Sequence, residues 1–241
     1  MVSLWSIKLD IVNLSPEAQT RPMSVTPKPE GRHHHGALRA ALLAAVADIL
    51  REAGPEAVSL RECARRAGVS HSAAAPHFGD KRGLLTAFAT EGSRRLAAAM
   101  QAALDALPPG ANAAARLAAT GHGYIAFATA HPAHFRLMFR TDLLDRADPG
   151  WQAAMRQSFG LLEAAMTALV PNAGEDAMRT RLALAWTAVH GFCALRAEGA
   201  GGDLWHPQDR AETTARDMID LLVAACAAPT SAVAACAAPR L

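Results

Sequence analysis

The chain is expected to be all-α, with a small three-helix domain near its start and a larger helical body after it. Three observations predict this. Of its 241 residues 51% are apolar, alanine and leucine dominate, and no run alternates with β-branched residues for long. Apolar residues recur at helical spacing in segments closed by breakers such as Gly54-Pro55 and Pro108-Pro109-Gly110. Between Ser59 and Ser70 a helix of barely two turns stops at a glycine, and a second helix starts two residues later.

Residues 1–34, with Pro16, Pro22, Pro27 and Pro29 among polar neighbours and no sustained period, are expected to form a disordered arm. Met23 opens a plausible shorter chain. Leu38–Ala53 is an amphipathic helix with Leu38, Leu42, Val46, Ile49 and Leu50 on one face. In SLRECARRAGVS (59–70), Ser59 and Glu62 have capping-box spacing, each side chain meeting an orphan amide of the first turn. Leu60, Cys63, Ala64 and Ala67 then share a face, while Arg61, Glu62, Arg65 and Arg66 point away. Gly68 suits a left-handed C-terminal cap, Val69 plugs the core, and Ser70 is a good N-cap for a helix to Phe78. Asp80 caps the next helix, which runs to about Leu107. Further helices are expected at 113–130, around 134–139, and at 149–170, 175–198 and 209–228. The tail from residue 229 holds half of a ten-residue repeat, AACAAP at 224–229 and 234–239, and is expected to fray.

Two short helices crossing through a glycine turn make a helix-turn-helix, whose second helix can enter a DNA major groove. Charge agrees: residues 31–95 carry ten basic and six acidic side chains, a net +4, and residues 96–241 carry a net −2. No apolar stretch reaches the roughly 20 residues needed to cross a bilayer, and Met1–Leu14 lacks a basic region before a long apolar core. No membrane role is expected, and the scattered Cys63, Cys193, Cys226 and Cys236 suit reduced thiols of a cytoplasmic protein.

HHHGALRAALLAAVADILREAG (33–54) and VSLRECARRAGVSHSAAAPHFGDKRGLL (58–85) resemble the N-terminal domain of TetR-family transcriptional regulators. Trp186-Thr-Ala-Val-His190-Gly191, with HPAHFRLMF at 131–139, is similar to the Trp-His-Gly signature of one C-terminal subgroup of that family. The resemblance implies a DNA-binding domain at 35–96, a ligand-binding and dimerisation domain at 97–228, and no enzymatic activity. It implies that Ser59 touches a phosphate, that Ser70, His71, Ser72 and Ala73 face base edges, and that His77 and Lys81 hold phosphates. Partners would be double-stranded operator DNA, a small apolar effector and a second copy of the chain. The reading helix departs from the family pattern at Ala75 and Pro76; the proline deletes an amide donor and crowds the Ser72 carbonyl, which a tightened 3₁₀ turn would relieve.

His33, His34 and His35 point in different directions and fix no fourth ligand, so no metal and no cofactor are expected. His122, His131, His134 and His190 could cluster between helices, with satisfied interior histidines as the simpler reading. The stripe of Tyr124, Phe127, Phe135, Met138, Phe139, Trp151, Met155, Phe159 and Trp186 is either plain core or the lining of an apolar cavity. The candidate effector residues within it are Tyr124, Phe127, Trp151, Met155, Phe159 and Trp186, joined by His190 one turn beyond Trp186. No nucleophile–base pair, glycine-rich phosphate loop or HExxH motif occurs, so no catalytic residue is named. A helical enzyme using the body histidines and an effector-free DNA-binding structural protein are the alternatives to a ligand-released repressor. Alanine-rich faces on the last two helices (Ala183, Ala188, Ala194; Ala215, Ala224, Ala225) permit the close approach a dimer needs.

Overall fold

The computed structural model of the chain describes residues 32–200 and 208–229. The expected arm and tail lie outside them except for residues 32–34 and Pro229. The described residues form nine α-helices and one 3₁₀ turn: α1 (Arg32–Ala53), the turn Pro55–Ala57, α2 (Leu60–Arg66), α3 (His71–Phe78), α4 (Lys81–Asp105), α5 (Ala113–Ala130), α6 (Pro132–Met138), α7 (Pro149–Leu169), α8 (Glu175–Ala197) and α9 (Gln208–Ala227). They divide into two compact units. A head takes the residues up to Phe88 with Leu143–Gln152, and a body takes Ala89–Asp142 with the residues from Ala153 onward.

The first helix starts six residues before the expected Leu38, so residues 32–34 of the expected arm are helical. Gly36 does not stop it, because one glycine inside a helix costs only about 1 kcal/mol. In the head, α1 packs on the 3₁₀ turn, α2 and α3. Leu42, Val46 and Ile49 of α1, Cys63 and Ala64 of α2 and Ala74 of α3 are all buried. Burying such side chains stabilises by about 1.5–3 kcal/mol for each of the larger ones. Val69 is half-buried rather than a full plug. Residues 143–152 are tied to α4 in this unit: Arg82 Nη1 donates to the Leu144 carbonyl at 2.7 Å, and the Asp145 amide donates to Thr86 Oγ1 at 2.8 Å.

In the body, α5 packs against α6, α8 and α9. Leu117 of α5, Ala165 and Met166 of α7, Leu182 and Ala185 of α8 and Cys226 of α9 form its core. Arg181 of α8 is buried and donates to the carbonyls of Cys226 (2.8 Å) and Ala228 (2.7 Å) at the end of α9. A guanidinium there satisfies orphan carbonyls and faces the negative end of the helix dipole.

His134 of α6 is buried, with its Nε2 at 3.7 Å from Glu91 Oε1 of α4. Gly92 makes room for it, since a β-carbon there would lie 3.0 Å from His134 Cβ. Burial pushes the imidazole down to about 4; Glu91 opposes the shift, and Arg95 and His131 reinforce it. The fold thus favours the neutral ring. Stability is expected to be intact above the unfolded value near 6.5 and to fall as pH drops from there toward 4, by up to about 3 kcal/mol. Urea denaturation of wild type and His134→Gln at pH 7.5 and 4.5 checks this: the wild type should lose more stability between the two, and equal losses would refute the assignment.

Candidate nucleic-acid interface and ligand site

The head presents α3 by local chemistry. Ser59 Oγ accepts from the Glu62 amide at 3.1 Å and Ser70 Oγ from the Ala73 amide at 3.2 Å, so both serines cap their helices as expected. A hydroxyl whose oxygen serves as a cap still has its proton to donate, which is what a phosphate oxygen requires. Gly68, between the helices, has φ +69°, a conformation that side chains with a β-carbon rarely adopt. The capping box is only half formed. The Glu62 carboxylate instead accepts from Arg65 Nε (2.8 Å) and Nη2 (2.7 Å) and from Arg66 Nε (2.8 Å). Two cations within reach outcompete one amide for a carboxylate. Hydrogen bonds from Arg65 and then Arg66 hold Glu62 down to about 2.

This network changes the electrostatics read from the sequence. Arg66 also binds Glu52 (2.7 Å), Arg51 pairs with Asp48, and Arg95 in the body pairs with Glu91 (2.7 Å). Arg39 lies over the Phe78 ring at 5.5 Å. Much of the basic excess is therefore engaged internally. Arg61 is exposed on α2, two residues from the Ser59 cap, and forms no ion pair among the described residues. Sequence reasoning did not name it as a candidate, although its place on the outer face of the first turn was a usable signal.

Ser70, His71 and Ser72 are exposed at the start of α3, and Ala73 is half-buried. Ser70 and Ser72 share a hydrogen bond of 2.9 Å between hydroxyls. Pro76 is exposed within α3, which remains α-helical from His71 to Phe78 instead of tightening into a 3₁₀ turn. With the Gly79 amide bonded to the Ala75 carbonyl at 2.8 Å, the helix ends soon enough to tolerate the proline. His77 is half-buried with its ring tilted 49° against Phe78. Lys81 Nζ donates to the Glu56 carbonyl at 2.9 Å, holding the start of α4 to the 3₁₀ turn. An ammonium carries three N–H donors, so this bond leaves capacity for a phosphate.

In the body, Tyr124 of α5 and His190 of α8 meet through a 2.9 Å bond between Oη and Nδ1. Phe135 (5.3 Å), Phe139 (4.5 Å) and Trp186 (6.1 Å) surround the His190 ring, and Phe159 adjoins Trp186 at 6.5 Å. Four of the seven named effector residues, Tyr124, Phe159, Trp186 and His190, thus come together. Phe135 and Phe139, in the stripe but not among those named, are the rings nearest His190. Phe127 instead stacks with His131 at 5.6 Å, and Met155 accepts from Ser93 Oγ at 3.2 Å. Trp151 belongs to the head unit, a partition that local periodicity does not reveal. The four body histidines do not form one cluster. His131 and His134 pack edge to face at 5.8 Å, His190 pairs with Tyr124, and His122 is exposed. Burial lowers His190 and raises Tyr124, keeping both neutral.

No helix among the described residues is long and apolar enough to cross a membrane. Two family descriptions match the chain: "Bacterial regulatory proteins, tetR family" at residues 42–88 and "Tetracyclin repressor-like, C-terminal domain" at residues 117–222. A solved protein of unknown function from Rhodococcus sp. RHA1 is 34% identical, with 80% of this chain and 98% of that chain covered and a TM-score of 0.64. The TetR-family transcriptional regulator PfmR from Thermus thermophilus is 22% identical, with coverage of 76% and 97% and a TM-score of 0.55. A variant of TetR from Acinetobacter baumannii AYE, solved in complex with minocycline, is 20% identical, with coverage of 77% and 94% and a TM-score of 0.54. No curated protein matches the chain. The head's helix-turn-helix and the helical body each carry a family match, and the chain belongs to the tetR family of bacterial regulatory proteins: it is a transcriptional regulator with a helix-turn-helix DNA-binding domain.

Proposed function

We propose that the protein is a dimeric repressor that reads a two-fold operator with α3 of each copy and is released by a small, largely apolar effector held by the aromatic cluster of the body. The observation that carries the DNA reading is the two-sidedness of α3. Ala74 and Phe78 anchor one side in the head core, while Ser70, His71 and Ser72 present hydroxyl and imidazole groups outward. Ser59, His77, Lys81 and Arg61 would grip the phosphates on either side. In this reading residues 35–96 bind DNA and 97–228 bind effector and partner, with the body of the Trp-His-Gly type carrying Trp186, His190 and Gly191.

Dimerisation is supported by exposed apolar side chains on the last two helices: Leu184 (43%) and Leu195 (46%) on α8 and Leu221 (73%) on α9. Ala224 and Ala225 are exposed beside Leu221, as a helix–helix contact requires. Ala215 is not available, being buried in the body core at 6% exposure. A single head would read only half an operator.

Footprinting on DNA flanking the coding region tests the reading. A protected two-fold site of about two half-sites one helical turn apart supports it, while salt-sensitive binding without sequence preference would favour an effector-free structural protein. Within that assay Lys81→Ala is expected to weaken binding to all sequences alike, by about tenfold, and to lower the salt slope by about one unit. A change in preferred sequence at unchanged affinity would place Lys81 on bases and overturn its phosphate role.

A further inference from the structure

The cluster around His190 is aromatic but not sealed. Tyr124 and Phe135 are buried, whereas Phe139, Phe159, Trp186 and His190 are each half-buried although their rings touch in series. Contiguous partly exposed rings mark a contact surface more often than an unfinished core. Trp186 and His190 lie well over 90° around α8 from Leu184 and Leu195, the exposed apolar side chains proposed for the dimer contact, at about 100° per residue.

The polar atoms inside the cluster are ordered by what each can do. A phenol O–H is a stronger donor than the N–H of a neutral imidazole, and an imidazole nitrogen is a stronger acceptor than a phenol oxygen. Tyr124 Oη lies 2.9 Å from His190 Nδ1, and these strengths favour the Tyr124 O–H donating to Nδ1. Nδ1 is then an acceptor. Burial disfavours the imidazolium, so the single ring proton of neutral His190 sits on Nε2. The bond from Tyr124 to Nδ1 therefore leaves Nε2–H, on the other edge of this half-buried ring, as a donor for a ligand that enters among the rings. The faces of these rings would attract a cation, but a fixed N–H donor disfavours an ammonium beside it.

We propose that this site takes an aromatic effector bearing a carbonyl oxygen, and that His190 Nε2–H is the donor that selects it. The inference rests on the effector reading above and adds the chemical class of the ligand. Its test uses three probes of one shape: 2-acetylnaphthalene, 2-isopropylnaphthalene and 1-(2-naphthyl)ethylammonium, each titrated by equilibrium dialysis against the full chain. The ketone is expected to bind about tenfold tighter than the hydrocarbon, the contribution of one hydrogen bond, and the ammonium weakest of the three. His190→Asn keeps an acceptor for Tyr124 but has no donor that reaches the Nε2 position, and should bring ketone and hydrocarbon close to equal affinity. His190→Gln, which can place an N–H near the Nε2 position, should keep part of the preference. A purely structural role for His190 would instead weaken all probes together. Phe139→Ala should weaken every probe if they bind at the cluster. Hydrocarbon matching ketone in the wild type, or a ketone preference that survives His190→Asn, would overturn the selection rule while leaving an effector site in place. Binding that ignores Phe139→Ala, or no saturable binding of any probe, would overturn both the rule and the effector reading of this cluster.

Discussion

Gly83→Ala is expected to destabilise the head by about 3 kcal/mol and to abolish specific DNA binding. Gly83 sits in the first turn of α4, where its amide donates to the Asp80 carboxylate at 2.8 Å. A β-carbon there would lie 2.0 Å from the Phe78 carbonyl oxygen and 3.2 Å from its carbon. Both are backbone atoms at the end of α3, so no side-chain rotation relieves the clash. The turn at Gly79 and Asp80, where the Asp80 amide donates to that same carbonyl at 2.9 Å, would have to open. Alanine's better helix propensity offsets only about 1 kcal/mol. Cys63, fully buried in the head, gives a local readout: its alkylation should become fast in the variant, while buried Cys193 and Cys226 of the body stay protected. Gly36→Ala is the control, since a β-carbon at Gly36 meets nothing within 4 Å. It should be neutral or stabilising by up to about 1 kcal/mol. A Gly83→Ala protein with wild-type DNA affinity and a protected Cys63 would mean that α3 is not held by this turn.

Gly83 also shows where sequence reading stops. Caps and breakers are local, so the serine caps at 59 and 70, the glycine turn at 68 and the Asp80 start were legible from the residues themselves. What a missing β-carbon makes room for is set by another part of the chain. From sequence alone Gly83, Gly92 and Gly123 look like small penalties within helices. Glu62 is a similar case. Its spacing from Ser59 is that of a capping box, yet the competitors that take its carboxylate are Arg65 and Arg66, one turn further along. In the body, the apolar stripe was legible, but Phe135 and Phe139 converge on His190 only because the short α6, started by Pro132, turns its rings toward α8. Trp151 fits the stripe by type and belongs to the other unit. Residue type gave the inventory of the site, and non-local packing chose its members.

Gly123→Ala is expected to loosen the body by about 3 kcal/mol while leaving the head folded. The added β-carbon would sit 2.6 Å from Met100 Cα, 2.7 Å from the Ala99 oxygen and 2.9 Å from the Met100 amide nitrogen. Here the backbone of α5 lies directly on that of α4, and the helices would have to separate by close to 1 Å. Interiors packed like crystals accommodate such a shift poorly, because neighbours on both sides of the contact must follow. Tyr124 is the next residue, so the shift would also move the hydroxyl that orients His190. Two readouts separate this from general damage. Cys193, whose thiol burial pushes up to about 12, and Cys226 should become reactive while Cys63 stays protected, the reverse of the Gly83 pattern. Gly160→Ala on α7, where a β-carbon meets nothing within 4 Å, should leave all three thiols protected. If Gly123→Ala left the urea midpoint and the thiol pattern unchanged, α4 and α5 would not be in backbone contact, and the position of Tyr124 would need another cause.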